Sequence, residues 1–171
     1  MSQRLDPEYE ALTLERSEHY DKIRNLLSQH EGGEKLLKSY MDTLFDIEEH
    51  DNKAAYNLGL STSFNLKLHS PTLDKNAVFA AGNIEDENYK ESVDTFIMSL
   101  MEDICIELKA NNEYSDLIQN RIQLAQTLKD DLSDNHFKVF DDYCKTSYEI
   151  NRMEMEASIR YTFKKSLSLL K

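Results

Sequence analysis

From Glu34 onward the apolar residues Leu36, Leu37, Tyr40, Met41, Leu44, Ile47, Ala54, Ala55 and Leu58 recur at steps of three and four, with polar residues between them. That is the period of a helix that buries one stripe and solvates the rest. It predicts a long helix running to about Leu68. Over residues 61–83 a second period competes, because Phe64, Leu66 and Leu68 alternate with Asn65 and Lys67 as in a strand. Helix, strand and loop all stay open there, and an internal repeat described below favours helix as far as Leu68. Further stripes predict four other helices. Leu12, Tyr20, Ile23, Leu26 and Leu27 mark a first one. Phe96, Ile97, Leu100, Met101, Ile104, Cys105 and Leu108, widened by Met98 and Ile106, mark the most apolar one, which is expected to sit centrally. Leu117, Ile118, Ile122, Leu124, Leu128 and Leu132 mark a fourth, and Phe137, Phe140, Tyr143, Cys144, Ile150, Met153, Ala157, Tyr161 and Leu167 a long fifth.

Punctuation residues set the expected ends. Asp6-Pro7 reads as an N-cap followed by proline at the first helical position, with Glu8 and Glu10 placed to favour the positive end of the helix dipole. Gly32-Gly33 suits a left-handed C-cap for the first helix. His69-Ser70-Pro71 ends the second, since proline disfavours helical geometry in the residue before it. A linker over 71–84 follows, containing the AVFAAG run Ala77 to Gly82. Asn111-Asn112 breaks the chain again, Ser115 is the candidate cap of the fourth helix, and Asp134-Asn135 the turn into the fifth. Lys164, Lys165 and Lys171 place cations at the negative end of that helix.

The segment from Glu34 lies over the segment from Phe137 without a gap. Tyr40 then meets Tyr143, Thr43 meets Thr146, Phe45 meets Tyr148, Ile47 meets Ile150, Ala54 meets Ala157, Leu60 meets Phe163 and Phe64 meets Leu167. A shift of two residues upstream pairs Leu27 with Leu128. Each long helix is thus preceded by a shorter one across a tight turn. The expected fold is all-α: an antiparallel bundle of about five helices, formed by two duplicated hairpins (1–70 and 112–171) in a pseudo-two-fold arrangement around the helix at 85–111, one compact domain overall.

Composition narrows the alternatives. Four glycines and two prolines in 171 residues cannot supply the turns of a sandwich or barrel. A formal charge of -12 repels phosphate and anionic lipid, which argues against direct binding to nucleic acid or membrane. Cys105 and Cys144 lie inside apolar helical patterns without metal-ligand spacing and read as buried, reduced thiols. With no apolar leader and no run of about 18 apolar residues, a cytoplasmic protein is expected.

No motif for nucleotide binding, metalloprotease or serine-hydrolase chemistry occurs, and no enzyme activity or cofactor is expected. Glu15 with His19, and Asp46 with His50, are one turn apart but offer at most one face of a metal site. Cys144 follows His136 by eight residues, the wrong geometry for a nucleophile and its base on one straight helix. The acidic pairs are too abundant for any one to signal acid–base catalysis.

What the acids can do is face a partner. Carboxylates at helical spacing lie about 5–6 Å apart, comparable to phosphate spacing along a strand, so an acidic helix face suits a basic groove. Asp42, Asp46, Glu48, Glu49 and Asp51, with the repeat-related Asp141, Asp142 and Glu149, are the candidate contact residues. The alternative is self-association as a homodimer or regulatory adaptor through Met98, Ile106, Met153 and Met155, which lie outside a single stripe.

Around AAYNLGLSTSFNL, Ala54 to Leu66, the chain resembles small helical proteins of unknown function from Bacillota genomes and their mobile elements. The carriers are Tyr56 and Gly59 followed by Leu60, an aromatic–x–x–Gly pattern after a long helix with an acidic middle. The resemblance covers residues 20 to 68; in the second half Thr162 stands opposite Gly59. It implies an all-helical fold and a bacterial or phage origin, and no activity. Joined to the acidic faces, it yields a concrete expectation: an inhibitor of a host defence nuclease that acts by steric or nucleic-acid-mimic binding.

Overall fold

The computed structural model describes residues 6–69, 87–132 and 134–169. Among them every regular element is helical: α1 (Pro7–Leu27), α2 (Gly33–His69), α3 (Glu87–Lys109), α4 (Asn112–Asp131) and α5 (Asp134–Leu169). The competition over residues 61–83 is settled as helix up to His69. The expected linker over 71–84, with its AVFAAG run, lies outside the described residues. No helix among those described is long and apolar enough to cross a membrane.

The start of α1 follows its residues. The Asp6 carboxylate accepts the Glu8 backbone N–H at 2.9 Å, and Pro7 opens the helix where its missing N–H costs nothing. The end differs from expectation. Ser28, in ordinary right-handed geometry, closes α1 through its N–H on the Arg24 carbonyl at 2.9 Å, so Gly32-Gly33 is not the C-cap. Gly32, with φ of 81°, instead reverses the chain into α2, and Gly33 is the first residue of that helix. A side chain on Gly33 would run into the Leu27 carbonyl, so the pair serves a turn tight enough to fold α2 back on α1. At the other break, the Ala110 and Asn111 N–H groups bond back to Glu107 and Leu108 and close α3. Helix α4 starts at once, at Asn112; Ser115 lies a turn inside it and is not its cap. Asn side chains compete with the backbone for hydrogen bonds, and this pair ends one helix and begins the next. Asp134 already belongs to α5 rather than to a turn, and α4 ends at Asp131.

The chain forms two compact units that cut across the expected hairpins: Met1–Glu49 with Asn112–Met153, and His50–Asn111 with Glu154–Lys171. Each takes one part of α2 and one part of α5. In the first unit α1 runs antiparallel to α2, with Arg24 near Glu34 and Arg16 near Glu48. Helix α4 likewise folds back on α5, placing Lys129 over the Phe137 ring. The core gathers Ile23 and Leu27 from α1, Leu37, Tyr40 and Leu44 from α2, Leu128 from α4 with Leu132 just after it, and Phe140 and Tyr143 from α5. Leu27 and Leu128, which the sequence alignment places opposite each other, are both fully buried. Each such apolar side chain contributes about 1.5–3 kcal/mol on burial. Tyr40 and Phe140 meet edge to face, ring centres 4.9 Å apart.

In the second unit, Ala55, Gly59 and Ser63 of α2 are buried, as are Ile97, Leu100, Met101, Ile104 and Leu108 of α3 and Met155, Ile159 and Phe163 of α5. Here α2 and α5 run in the same direction: Asn52 donates to Glu154 at 3.3 Å, and two turns later Gly59 abuts Thr162. This parallel pair departs from a purely antiparallel bundle. Helix α3 is fixed to α5 by the Arg160–Asp94 ion pair at 2.6 Å and by Phe96 set edge-on to Phe163. It buries one face only, since Met98 and Ile106 are exposed. Two further expectations are corrected. Cys105 is exposed and Cys144 only partly buried, because each stands at the edge of its stripe, and Met155 belongs to the core instead of a spare apolar edge.

Candidate functional site

The candidate acidic residues divide sharply once they are on helices. Asp51 is 7% exposed and cannot serve an open face; it follows Ile47 by four residues and precedes Ala55 by four, which sets it in the buried stripe of α2. Of the others, all in the first unit, several carry a cation of their own. Asp42 holds Lys38 at 2.6 Å. Asp141 and Asp142 share Lys145, at 2.5 and 3.7 Å. Glu149 holds Arg152 at 2.9 Å, and the half-buried Glu48 faces Arg16 at 3.6 Å, an ion pair too long for a hydrogen bond. Asp46 and Glu49 stand exposed on α2.

The acidic faces of α2 and α5 therefore differ. On α5 the exposed aromatic Tyr148 sits among Asp141, Lys145, Glu149 and Arg152, which leaves little net charge. On α2 the residues Asp42, Phe45, Asp46 and Glu49 share one side, so Phe45 stands beside three carboxylates, of which Asp42 is paired with Lys38. Phe45 is 66% exposed, unusual for a phenylalanine in a helix whose other stripe is so well buried.

Next to this face is a groove of about 500 Å³. Arg16 and Tyr20 of α1 form one wall, Asp42, Phe45 and Glu48 of α2 the other, and Tyr143 of α5 reaches into it. The Tyr143 hydroxyl donates to the Met41 sulfur at 3.0 Å, and on the same pair of helices Tyr40 and Cys144 share a hydrogen bond at 3.2 Å. Burial pushes the phenols of Tyr40 and Tyr143 and the thiol of Cys144 above their ordinary values, so all three stay protonated near neutrality. A protonated thiol is a weak nucleophile, and Cys144 lacks the lowered pKa that thiol chemistry needs. Among the described residues no group of three or more His, Cys, Asp or Glu side chains is gathered to hold a metal ion.

Sequence reasoning missed Phe45, Arg16, Tyr20 and the groove. Only Phe45 left a signal: it pairs with Tyr148 in the repeat while standing off the apolar stripe. Comparison with known protein families, curated proteins and solved structures gave no significant match.

Proposed function

We propose that this is a non-catalytic, acidic interaction protein of the cytoplasm that binds a basic protein partner through the face of α2 bearing Asp42, Phe45, Asp46 and Glu49. The observation that carries the reading is Phe45, 66% exposed on the side of α2 that also bears Asp42, Asp46 and Glu49. An aromatic anchor with a polar rim is the usual composition of a binding hot spot, and like-signed charge around it steers an oppositely charged partner to the surface. Carboxylates one turn apart stand at about the spacing of phosphates, which suits a groove that otherwise holds nucleic acid. Together with the resemblance to mobile-element proteins, this favours blockade of a host defence nuclease by occupation of its nucleic-acid site. The test is a tagged pull-down from a bacterial lysate, washed at low and high salt, with the triple variant Asp42→Asn, Asp46→Asn and Glu49→Gln alongside. Recovery of a basic nucleic-acid-binding protein that is lost in high salt and in the variant is expected; recovery indifferent to both refutes mimicry.

The chain also reads as an internal duplication with pseudo-two-fold symmetry in its first unit. In the repeat register Tyr40 and Tyr143 are both buried, Thr43 and Thr146 both 6% exposed, and Phe45 and Tyr148 66% and 67% exposed. Contacts are reciprocal: Tyr40 meets Cys144, and Tyr143 meets Met41, the residue that Cys144 replaces in the register. The ion pairs Lys38–Asp42 and Asp141–Lys145 occupy the same two positions with their charges exchanged. In an experimental structure a rotation near a half turn should superpose residues 20–49 on 121–152; a rotation far from that removes the symmetry.

A second reading, self-association through α3, is favoured by Met98 at 47% and Ile106 at 68% exposure. It requires a dimer in sedimentation that Ile106→Glu dissolves, and a monomer at all concentrations rejects it.

A further inference from the structure

We propose that two copies of this chain associate through α3, antiparallel, about a two-fold axis that passes between Cys105 and Ile106; this rests on the self-association reading above and specifies its geometry. The stripe of α3 opposite its buried face carries Met98, Glu102, Cys105, Ile106 and Lys109, spaced i, i+4, i+7, i+8 and i+11 along the helix, and every one of them is exposed. Met98 and Ile106 are large apolar side chains left in water, and Cys105 adds a smaller apolar group between them. The acids Asp103 and Glu107 fall outside this stripe, so its charge comes from Glu102 and Lys109 alone.

Charge selects the occupant and its direction. Glu102 precedes Cys105 by three residues and Lys109 follows Ile106 by three, so an anion stands on one side of the apolar centre and a cation on the other. Turned end for end, a second copy sets its Lys109 opposite Glu102 and its Glu102 opposite Lys109, with Ile106 against Ile106 and Cys105 against Cys105 at the axis. That is the self-complementary pattern of a two-fold interface, in which every contact occurs twice. A parallel pair would set Glu102 against Glu102 and Lys109 against Lys109, like charges in both places. A basic or an acidic partner would match one end of the stripe and oppose the other. Met98, one turn before Glu102, lies along the aliphatic stem of the second copy's Lys109.

Sedimentation of the full chain over a range of concentrations gives the dissociation constant of the wild type and its variants. Glu102→Lys, at an exposed position, replaces two ion pairs by two like-charge contacts in the antiparallel dimer and should weaken it about tenfold, although it makes each copy less negative than the wild-type -12. In Glu102→Lys with Lys109→Glu the pairs re-form with their charges exchanged, and the constant should return to within about threefold of wild type. Packed helices lie about 8–10 Å apart, which brings the two Cys105 thiols at the axis within reach of a disulfide. Diamide, which accepts two electrons and two protons as the thiols join, should therefore cross-link the dimer, and Cys105→Ser should abolish the cross-link. A dimer that Ile106→Glu dissolves but that Glu102→Lys leaves unchanged or tightens overturns the antiparallel register while association through α3 stands, and so does such a dimer without a Cys105 cross-link. A wild-type chain that stays monomeric at every concentration overturns both.

Discussion

Helix propensity and packing make opposite predictions at Gly59. In the middle of a helix glycine is about 0.8–1 kcal/mol less favourable than alanine, so on local grounds Gly59→Ala should stabilise the protein. The structure argues the reverse. A methyl group at Gly59 would overlap the Thr162 hydroxyl of α5 and stand only 3.2 Å from the Cα and the carbonyl oxygen of Ile159. Thr162 has no easy escape: it is 1% exposed, β-branched, and its hydroxyl donates to the Ser158 and Ile159 carbonyls, both at 2.9 Å. Overpacking of this kind costs about 1–3 kcal/mol, and displacement of the buried hydroxyl adds about 1–3 kcal/mol if its bonds are lost. Set against the propensity gain, the net expectation is a loss of about 1–5 kcal/mol. With a urea dependence of about 1–3 kcal/mol per molar, the unfolding midpoint should fall by about 1 M. Thr162→Ala removes the hydroxyl, and in the double variant most of the loss should return. A rise in the midpoint for Gly59→Ala alone would refute the close approach of α2 and α5.

Stability should also decline in alkali. Tyr40, Tyr143 and Cys144 are pushed above their ordinary values, 10.0 for the phenols and 9.0 for the thiol, chiefly by burial, so they ionise more readily in the unfolded chain. The stability they contribute is whole below that range and is lost as pH rises through it; urea midpoints from about pH 7 to about pH 11 should fall, less so in Tyr40→Phe, and a flat profile contradicts the burial. Asp94→Asn removes the tie between α3 and Arg160 and should cost about 0.5–1 kcal/mol, seen as faster amide exchange in α3, with no change in exchange counting against the tie. Asp6→Ala should fray the first turn of α1 at a cost of about 1 kcal/mol, with the exchange confined to that turn.

The helices were legible because their stripes are long and glycine and proline are scarce. What escaped depends on angle and on neighbours. Asp51 was grouped with Glu48 and Glu49 by nearness in sequence, yet one residue on a helix turns a side chain by about 100°, and the spacing from Ile47 already pointed it inward. Cys105 adjoins the buried Ile104, and the same turn of the helix carries it out to solvent. The need for positive φ at Gly32 follows from where α2 must go after α1, which no local pattern encodes. The groove was invisible because its walls belong to three helices that only packing brings together.

The two units use the long helices in different ways. In the first, α2 and α5 meet through large rings and sulfur: Tyr40 with Phe140 and Cys144, Tyr143 with Met41. Removing bulk there opens cavities. In the second, the α2 side of the contact is Ala55, Gly59 and Ser63, and the bulk is supplied by Ile159, Thr162 and Phe163 of α5. Adding bulk to α2 there forces the helices apart. Glycine at both contact positions would leave a void, and threonine at both would clash; glycine on one helix against threonine on the other fills the space once. Gly59 against Thr162 is on this argument what the close packing of α2 on α5 requires.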